Sequence, residues 1–521
     1  MSDRPRIDPI ELQVLTGALH AICEEMGAVL IRSAHSANIK ERRDASTALF
    51  APNGEMVMQA EHIPVHLGAM PAAVAAVLDE DHAPGRSWIL NDPYRGGTHL
   101  PDITVITPVF APGEDGDDAG PAGDELIAFA ASRAHHADVG GPTPGSMPAD
   151  SRTLQDEGVV IEPQVLDERA ISELSGQMRR PEERRADLRA QLAAGAIGAG
   201  RLQELRERAG PETLAAAFSE ALAYAERRTR ACLSELDDGD REARDVLEAR
   251  EGDLELRLRA SVCGERLTLD FTGSARQHDG NLNCPLAVTR SACYFALRVL
   301  TDPDIPANAG AYRPLEVIVP EGSLLNARSP AAVVGGNVET SSRVADVVLR
   351  AFGRALGQGT MNNVTLGNDE VVYYETIGGG QGACSDADGP SGVHVAMSNT
   401  LNTPVEALEL EFPLRMVQYA LRRGSGGAGC HRGGDGVIRE LEALAPLRYS
   451  LITERRRHAP PGAAGGEDGL PGRNLLDDEE LASKAIGELA AGQRLRIETP
   501  GGGGWGDRPE DDGRSGDPRF P

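Results

Sequence analysis

The chain opens on a helical pattern. Leu12, Leu15, Leu19, Ile22, Met26 and Val29 recur at three- and four-residue spacings, which makes one face apolar. Asp8 stands at the N-cap position, Pro9 in the first turn and Glu11 three residues after the cap, so the start of the helix is legible as well. From Thr47 to Met58 the pattern becomes two short apolar runs about Asn53-Gly54, a dipeptide that favours a tight hairpin turn. A second strand pair is predicted near 87–91 and 103–110, and the Pro/Gly/Asp-rich run over 111–125 reads as a solvated hairpin tip. Residues 165 to about 250 are rich in Glu, Arg, Ala and Leu and predict a helical block, with Gly210 as a C-cap. Beyond it, LELRLRASV and RLTLDFTGS alternate apolar and polar residues about Cys263-Gly264, so strands resume.

Glycine-rich runs punctuate the remainder. The chain holds 60 glycines, and their clustering favours tight backbone turns near a site over flexible linkers. The run after Trp505 lacks apolar periodicity and reads as a disordered tail. Together these patterns predict an α/β (mixed α+β) fold with several mixed β-sheets and a central helical block. The expected divisions are an N-terminal α/β region over 1–164, helices over 165–255, a Gly-rich α/β region over 256–507 and a tail over 508–521.

Composition acts mainly by exclusion. Asp and Glu number 80 against 52 Lys and Arg, a formal charge of -28, which repels phosphate backbones and anionic membrane surfaces. Nucleic acid and membrane are therefore not expected partners. The 7 cysteines are scattered and never spaced C-x-x-C, as reduced thiols of a cytoplasmic protein would be. No secretory h-region follows the N-terminus, and no uninterrupted apolar run is long enough to predict a membrane span.

Candidate chemistry concentrates between Asp44 and Asp138. NDPYRGGTHLPDIT places His99 and Asp102 three residues apart before a β-branched run, a spacing that suits two ligands of one ion. SRAHHADVGG adds His135, His136 and Asp138 at another strand end, where two adjacent histidines face opposite ways and only one can reach a given ion. Asp44, His99, Asp102 and one of the two histidines supply oxygens and nitrogens suited to Zn²⁺, Mn²⁺ or Fe²⁺. Such a site activates water and polarises a carbonyl or phosphoryl oxygen. No G-x-x-x-x-G-K-[ST] motif occurs, so nucleotide binding by this chain has no support. Glu454 to Arg457, ERRR, reads as an exposed or ion-paired loop.

A set of collinear stretches then carries a resemblance. RRDASTALFAPNGEM, AEHIPVHLGAMPAAV, LNDPYRGGTHLPDITVITPVF, RAHHADVGGPTPGSMP, GGNVETSSRVADVVLRAFG, YYETIGGGQGA, RRGSGGAGCHRGGDGVIRE and TPGGGGWGD resemble the hydantoinase B/oxoprolinase family, in order, from about residue 35 to residue 507. The resemblance implies a hetero-oligomeric, ATP-dependent cyclic amidase. In it a hydantoinase A-type subunit holds ATP and Mg and phosphorylates the ring amide of hydantoin, N-methylhydantoin, 5-oxoproline or a related lactam. The chain resembling this one then hydrolyses the activated ring with a divalent metal. Carried over by residue, the metal ligands are Asp44, His99, Asp102 and either His135 or His136, with Glu61 or Asp138 as a further ligand or a base aligning water. GGNVETSS and IGGGQG are expected to shape the substrate pocket. The alternatives are the metal subunit of an acetone carboxylase-type enzyme, and a non-catalytic scaffold for the ATP-binding subunit.

Overall fold

The first helix runs Pro9–Ser33, and the Asp8 carboxylate accepts the amides of Ile10 and Glu11, satisfying donors that a helix N-terminus leaves open. A computed structural model describes residues 7–60, 63–111 and 125–508; Glu61, most of the predicted hairpin tip and the predicted tail from 509 onward lie outside the described residues. Leu15, Leu19, Ile22, Met26 and Leu30 are buried against a six-stranded sheet. By length and composition this helix could cross a bilayer, but in the structure its apolar face packs on the sheet beside the helix Pro181–Ala209.

That sheet comprises β1 (Ala45–Phe50), β2 (Met56–Ala60), β3 (Ser87–Leu90), β4 (Asp102–Ala111), β5 (Glu125–His135) and β6 (Gln164–Leu166), in the order β2-β1-β5-β4-β3-β6. Every pairing in it is antiparallel. β1 and β2 form the predicted hairpin, with Gly54 at φ 81°, a conformation that glycine adopts without a Cβ penalty. Both faces are covered. Leu49 and Ala130 point to the helices, while Phe50, Phe129 and Ile106 point into a larger core on the other side. The helix Pro181–Ala209 lies so close that a Cβ on Gly198 would stand 2.5 Å from Met26 Sδ and 3.1 Å from Ala130 Cβ.

The helical expectation for 165–255 holds only in part. Helices Glu168–Ser175, Pro181–Ala209 and Pro211–Ser234 are followed by the strand Gly239–Glu248, which pairs with Asp253–Cys263. Ala243 and Leu247 alternate inward there, so period-two burial outweighs the helical propensity of Glu, Arg and Ala. This second sheet, completed by Arg266–Asp270 and Leu315–Ile318, holds the parallel pairing among the four sheets. The helices Leu286–Leu300 and Ser341–Ala351 pack between it and the first sheet. Two further antiparallel sheets form the C-terminal part. One joins Asn363–Gly367, Val372–Glu375, Leu447–Ile452 and Lys484–Leu489; the other joins Leu414–Arg422, Gly436–Ala443, Arg473–Leu476, Glu479–Leu481 and Arg494–Glu498. All seven cysteines are unpaired.

The C-terminal glycines are not mainly turns. The segments 378–382, 426–434 and 500–504 lie against one another as backbone: Gly502 N–H donates to Gly434 O, and Gly434 N–H to Gln381 O, each at 2.9 Å. A Cβ on Gly502 would stand 2.0 Å from Gln381 O, and one on Gly433 2.0 Å from Gly502 O. Glycine is required because main chain meets main chain with no room for a side chain.

Candidate metal centre

Strand register builds the site. Asp102, the first residue of β4, lies directly opposite His135, the last of β5. β1 pairs Ala45 with Ala134, and the Asp44 carbonyl accepts the His135 amide at 3.0 Å. His99 sits in the turn entering β4, its carbonyl accepting the Asp102 amide at 3.1 Å. Residues distant in sequence thus meet at one corner of the sheet.

Asp102 Oδ1 stands 3.1 Å from His99 Nε2 and 3.2 Å from His135 Nδ1, and the two ring nitrogens are 3.1 Å apart. Among the described residues these three offer ligand atoms within 4.8 Å of one another, all buried. The separations are those expected of neighbouring donors about 2.0–2.2 Å from one cation. Two nitrogens and one oxygen suit a borderline divalent ion such as zinc, manganese or iron. The other carboxylate oxygen, Oδ2, accepts from Thr98 Oγ1 at 2.5 Å and lies 3.5 Å from His66 Nε2.

The surroundings fix each ring. His99 Nδ1 meets the Asn337 side-chain amide at 3.1 Å. Asn337 sits on a single π-turn, Gly336–Thr340, a backbone irregularity that often marks functional sites. A Cβ on Gly336 would stand 1.8 Å from Asn283 O, so the turn is pressed hard against its neighbour. Tyr374 stacks on His135 with ring centroids 4.5 Å apart and an 11° interplanar angle, and the Arg42 guanidinium lies 4.7 Å from the same tyrosine ring. His66 Nδ1 is 2.9 Å from Ser46 Oγ. Polar atoms nonetheless remain unmatched: His66 Nε2, His135 Nε2 and Asn337 Oδ1 are buried without hydrogen-bond partners. Buried polar atoms left so usually mark a site for water or an ion.

Electrostatics agree with the geometry. Burial alone would raise the Asp102 carboxyl, but the neighbouring imidazoles of His99, His135 and His66 hold it well below the usual carboxylate range. Burial lowers His135 against the opposing pull of Asp102, so its imidazole is neutral near pH 7 with a lone pair to offer. The cluster borders a cavity of about 20 Å³, also lined by Asp44, His66, Asn337, Tyr374 and Ser398; that is room for about one water or ion.

The predicted residues divide plainly. His99, Asp102 and His135 come together. Asp44 lines the same cavity without joining the three-donor group. His136 turns away, its Nε2 2.9 Å from Gln191 Oε1, and burial, only partly offset by Asp187, pushes it down to about 4. Asp138 is not brought to the cluster: its oxygens accept the amides of Gly140 and Gly145 and pair with Arg179 at 2.9 Å. Glu61 lies outside the described residues. Sequence reasoning did not single out His66 or Asn337. The signal for the first was its neighbourhood, AEHIPVHLG, and for the second the glycine pair preceding it.

Comparison with known proteins places the chain. The hydantoinase B/oxoprolinase signature matches residues 8–508. 5-oxoprolinase 1 of Arabidopsis thaliana is 40% identical over 96% of this chain, which spans only 42% of that protein. A putative D-/L-hydantoinase component of Pseudomonas sp. is 31% identical over 97% of this chain and 91% of its own length. The crystal structure of an ATP-dependent caprolactamase from Pseudomonas jessenii superposes with a TM-score of 0.88 at 29% identity, covering 97% of this chain and 92% of that one.

Proposed function

Because this chain belongs to the hydantoinase B/oxoprolinase family, we propose that it is the metal-dependent hydrolytic component of an ATP-dependent cyclic amidase, acting after a hydantoinase A-type subunit has phosphorylated the ring amide. One observation carries the proposal: His99, Asp102 and His135 converge within 4.8 Å in a buried corner, beside imidazole nitrogens that no protein group satisfies. Phosphorylation by another subunit agrees with the lack of a G-x-x-x-x-G-K-[ST] motif in this sequence. It is also chemically needed, since an unstrained amide is a poor electrophile until its oxygen becomes a good leaving group.

His99 Nε2, Asp102 Oδ1 and His135 would hold the cation, which when bound supplies charge stabilisation at oxygen and lowers the pKa of water. Asn337 and Tyr374 fix the two rings, and Thr98 holds Asp102 by its second oxygen. His66 is placed to take a proton. In the tautomer whose Nδ1 donates to Ser46 Oγ, the Nε2 lone pair is free beside the cavity, and Asp102 Oδ2 at 3.5 Å would stabilise the imidazolium formed.

The test is metal analysis of the purified chain, followed by turnover of a lactam panel with the A-type partner, with and without ATP. Wild type should retain about one divalent ion per chain and turn over only with partner and ATP, while His99→Ala and Asp102→Ala should lose both ion and turnover. Unchanged metal content and hydrolysis in both variants would instead support a scaffold. Strict bicarbonate dependence would point to ketone carboxylation.

A further inference from the structure

A second cavity, of about 500 Å³, lies apart from the metal corner. It is walled by the segments 149–152, 249–251 and 278–282 and by Lys484, and it shares no lining residue with the cluster's cavity. Its volume falls within the usual range for small-molecule sites. We propose that it is a regulatory site for a small zwitterion, an amino acid whose ammonium and carboxylate are held apart by a short hydrocarbon spacer, and that its occupancy acts on the metal centre through the π-turn Gly336–Thr340. The regulatory half rests on the metal-dependent role proposed above; the binding half does not.

The charges on the wall set the ligand's chemistry. Some are already matched: Lys484 is buried and pairs with Glu454, and Glu251 lies 3.5 Å from His278 Nε2. Others are not. The Arg152 guanidinium and the carboxylates of Asp150 and Asp279 meet no hydrogen-bond or ion-pair partner among the described residues, and the Arg250 guanidinium meets the Lys484 carbonyl but no carboxylate. Unmatched cations and anions therefore face one cavity in balance. A polyanion would be repelled by Asp150 and Asp279, a metal ion by Arg152 and Arg250, and a neutral ring would leave both signs unanswered. A ligand with one charge of each sign answers both, with Ala149, Ala249 and Leu282 beside its spacer. Ring opening creates an ammonium and a carboxylate where the closed amide has neither, so such a site would tell an opened ring from a closed one.

The floor of the cavity is tied to the π-turn. Asn281 O accepts the Gly336 amide at 2.9 Å, and Leu282 O accepts from Thr340 Oγ1 at 2.6 Å. Ser151 Oγ donates to Glu157 Oε1, which also accepts the amides of Val333 and Val334 just before the turn. Lys484 pairs with Glu454, whose amide donates to Thr360 Oγ1, and that hydroxyl donates to Glu339 on the turn at 3.0 Å. Asn281, Leu282, Ser151 and Lys484 all line the cavity. The contact has no slack: a Cβ on Gly335 would stand 2.8 Å from Asn281 Oδ1. Asn337, within the turn, meets His99 Nδ1 at 3.1 Å, so a shift of the cavity floor reaches a ligand ring through one side chain. Packed, hydrogen-bonded elements of this kind carry coupling between sites, and the coupling is reciprocal.

Calorimetric titration of the full-length chain with 4-aminobutyrate, 5-aminovalerate and 6-aminohexanoate tests the binding half. At least one should bind. Its N-acetyl and methyl-ester derivatives, each with one charge removed, should bind about tenfold or more weakly, and its closed lactam should not compete. Arg152→Glu and Asp279→Lys put the opposite charge on an exposed part of the wall, outside the core, and should each weaken binding about fivefold or more. Absence of binding by all three, equal binding of the singly charged derivatives, or unaltered binding in both variants overturns the zwitterion site.

Metal affinity, read by competition with a chelator, tests the regulatory half. Saturation with the tightest of the three amino acids should change it about fivefold or more, and metal should change the amino acid's affinity by the same factor. Asn337→Leu should abolish that change while the amino acid still binds. Metal affinity unmoved in wild type, or coupling that survives in Asn337→Leu, overturns the route through the π-turn. Failure of the hydrolytic reading would show separately, as a metal-free wild type that does not turn over with its partner, with amino-acid binding still measurable.

Discussion

Two buried polar centres among the described residues differ in how their charge is paired. Around Arg343 and Arg455, the carboxylates of Asp245, Asp346 and Glu454 each meet a cation: Arg455 reaches Asp245 and Asp346 at 2.8 Å, Arg343 reaches Glu454 at 3.4 Å, and Lys484 also pairs with Glu454. Around Asp102 one carboxylate faces three imidazoles, with Asp44 lining the same cavity, and two of the imidazole nitrogens have no partner. The first centre joins the second sheet, the helix Ser341–Ala351 and the ERRR segment, and pairs each of these carboxylates with a cation, leaving only the Nε atoms of Arg343 and Arg455 without a hydrogen-bond partner within it. The second is left with donor atoms and unfilled space. A buried polar group that completes its own pairing holds a fold together; one left with unpartnered atoms beside a cavity has capacity for a ligand.

The contrast breaks most visibly if the two centres are exchanged by mutation. Arg455→Met leaves Asp245 and Asp346 sharing Arg343, and should cost about 3–5 kcal/mol of stability with metal still bound by the folded fraction. His135→Asn should lose the metal and cost less stability. Urea denaturation and metal analysis on both variants check the pair, and a stable, metal-free Arg455→Met would collapse the distinction. A smaller effect is expected one step out from the cluster. Asn337→Leu should weaken metal affinity by about 10–100-fold, read by competition with a chelator, with Asn337→Asp retaining more affinity than Asn337→Leu.

The smallest effect concerns Glu157, which belongs to neither centre. It accepts from Ser151 Oγ and from the amides of Val333 and Val334, bracing the chain that leads into the π-turn, and burial pushes its carboxyl up to about 7. Its Oε2 has no partner. A folded pKa above the unfolded value of about 4.3 means that the native state binds the proton more tightly. This contribution is therefore full below about pH 4.3 and fades as pH rises through about 7. Glu157→Gln keeps the accepting oxygen and should flatten that decline, as followed by denaturation midpoints from pH 4.5 to 8. An unchanged slope would remove Glu157 from the account.

The first helix and the hairpins were legible because their signals are local. Asp8, the Asn53-Gly54 turn and the alternation about Cys263-Gly264 each act within a few residues. His99, Asp102 and His135 were legible as types clustered at strand ends, but the orientation that separates His135 from His136 depends on pairing across the hairpin. Asn337 lies 238 residues from His99, and no periodicity reports such a contact. Gly239–Glu248 misled because its composition is helical while its burial is set by neighbouring strands. ERRR is ion-paired, as one of its two expected forms, yet Glu454 and Arg455 are buried rather than on a surface loop. The glycine runs misled in a different way, since their need for glycine comes from other segments of backbone, not from their own turns.

The ladder from Asp102–His135 to Ala111–Glu125 makes the centre a gauge of strand alignment. A slip of one residue reverses which way every side chain of β5 points and would carry the His135 imidazole out of the corner. Added residues at the far end of the hairpin are harmless to the ligands so long as the count along the paired rungs is kept, so a bound ion would report that the two strands have closed in their proper alignment.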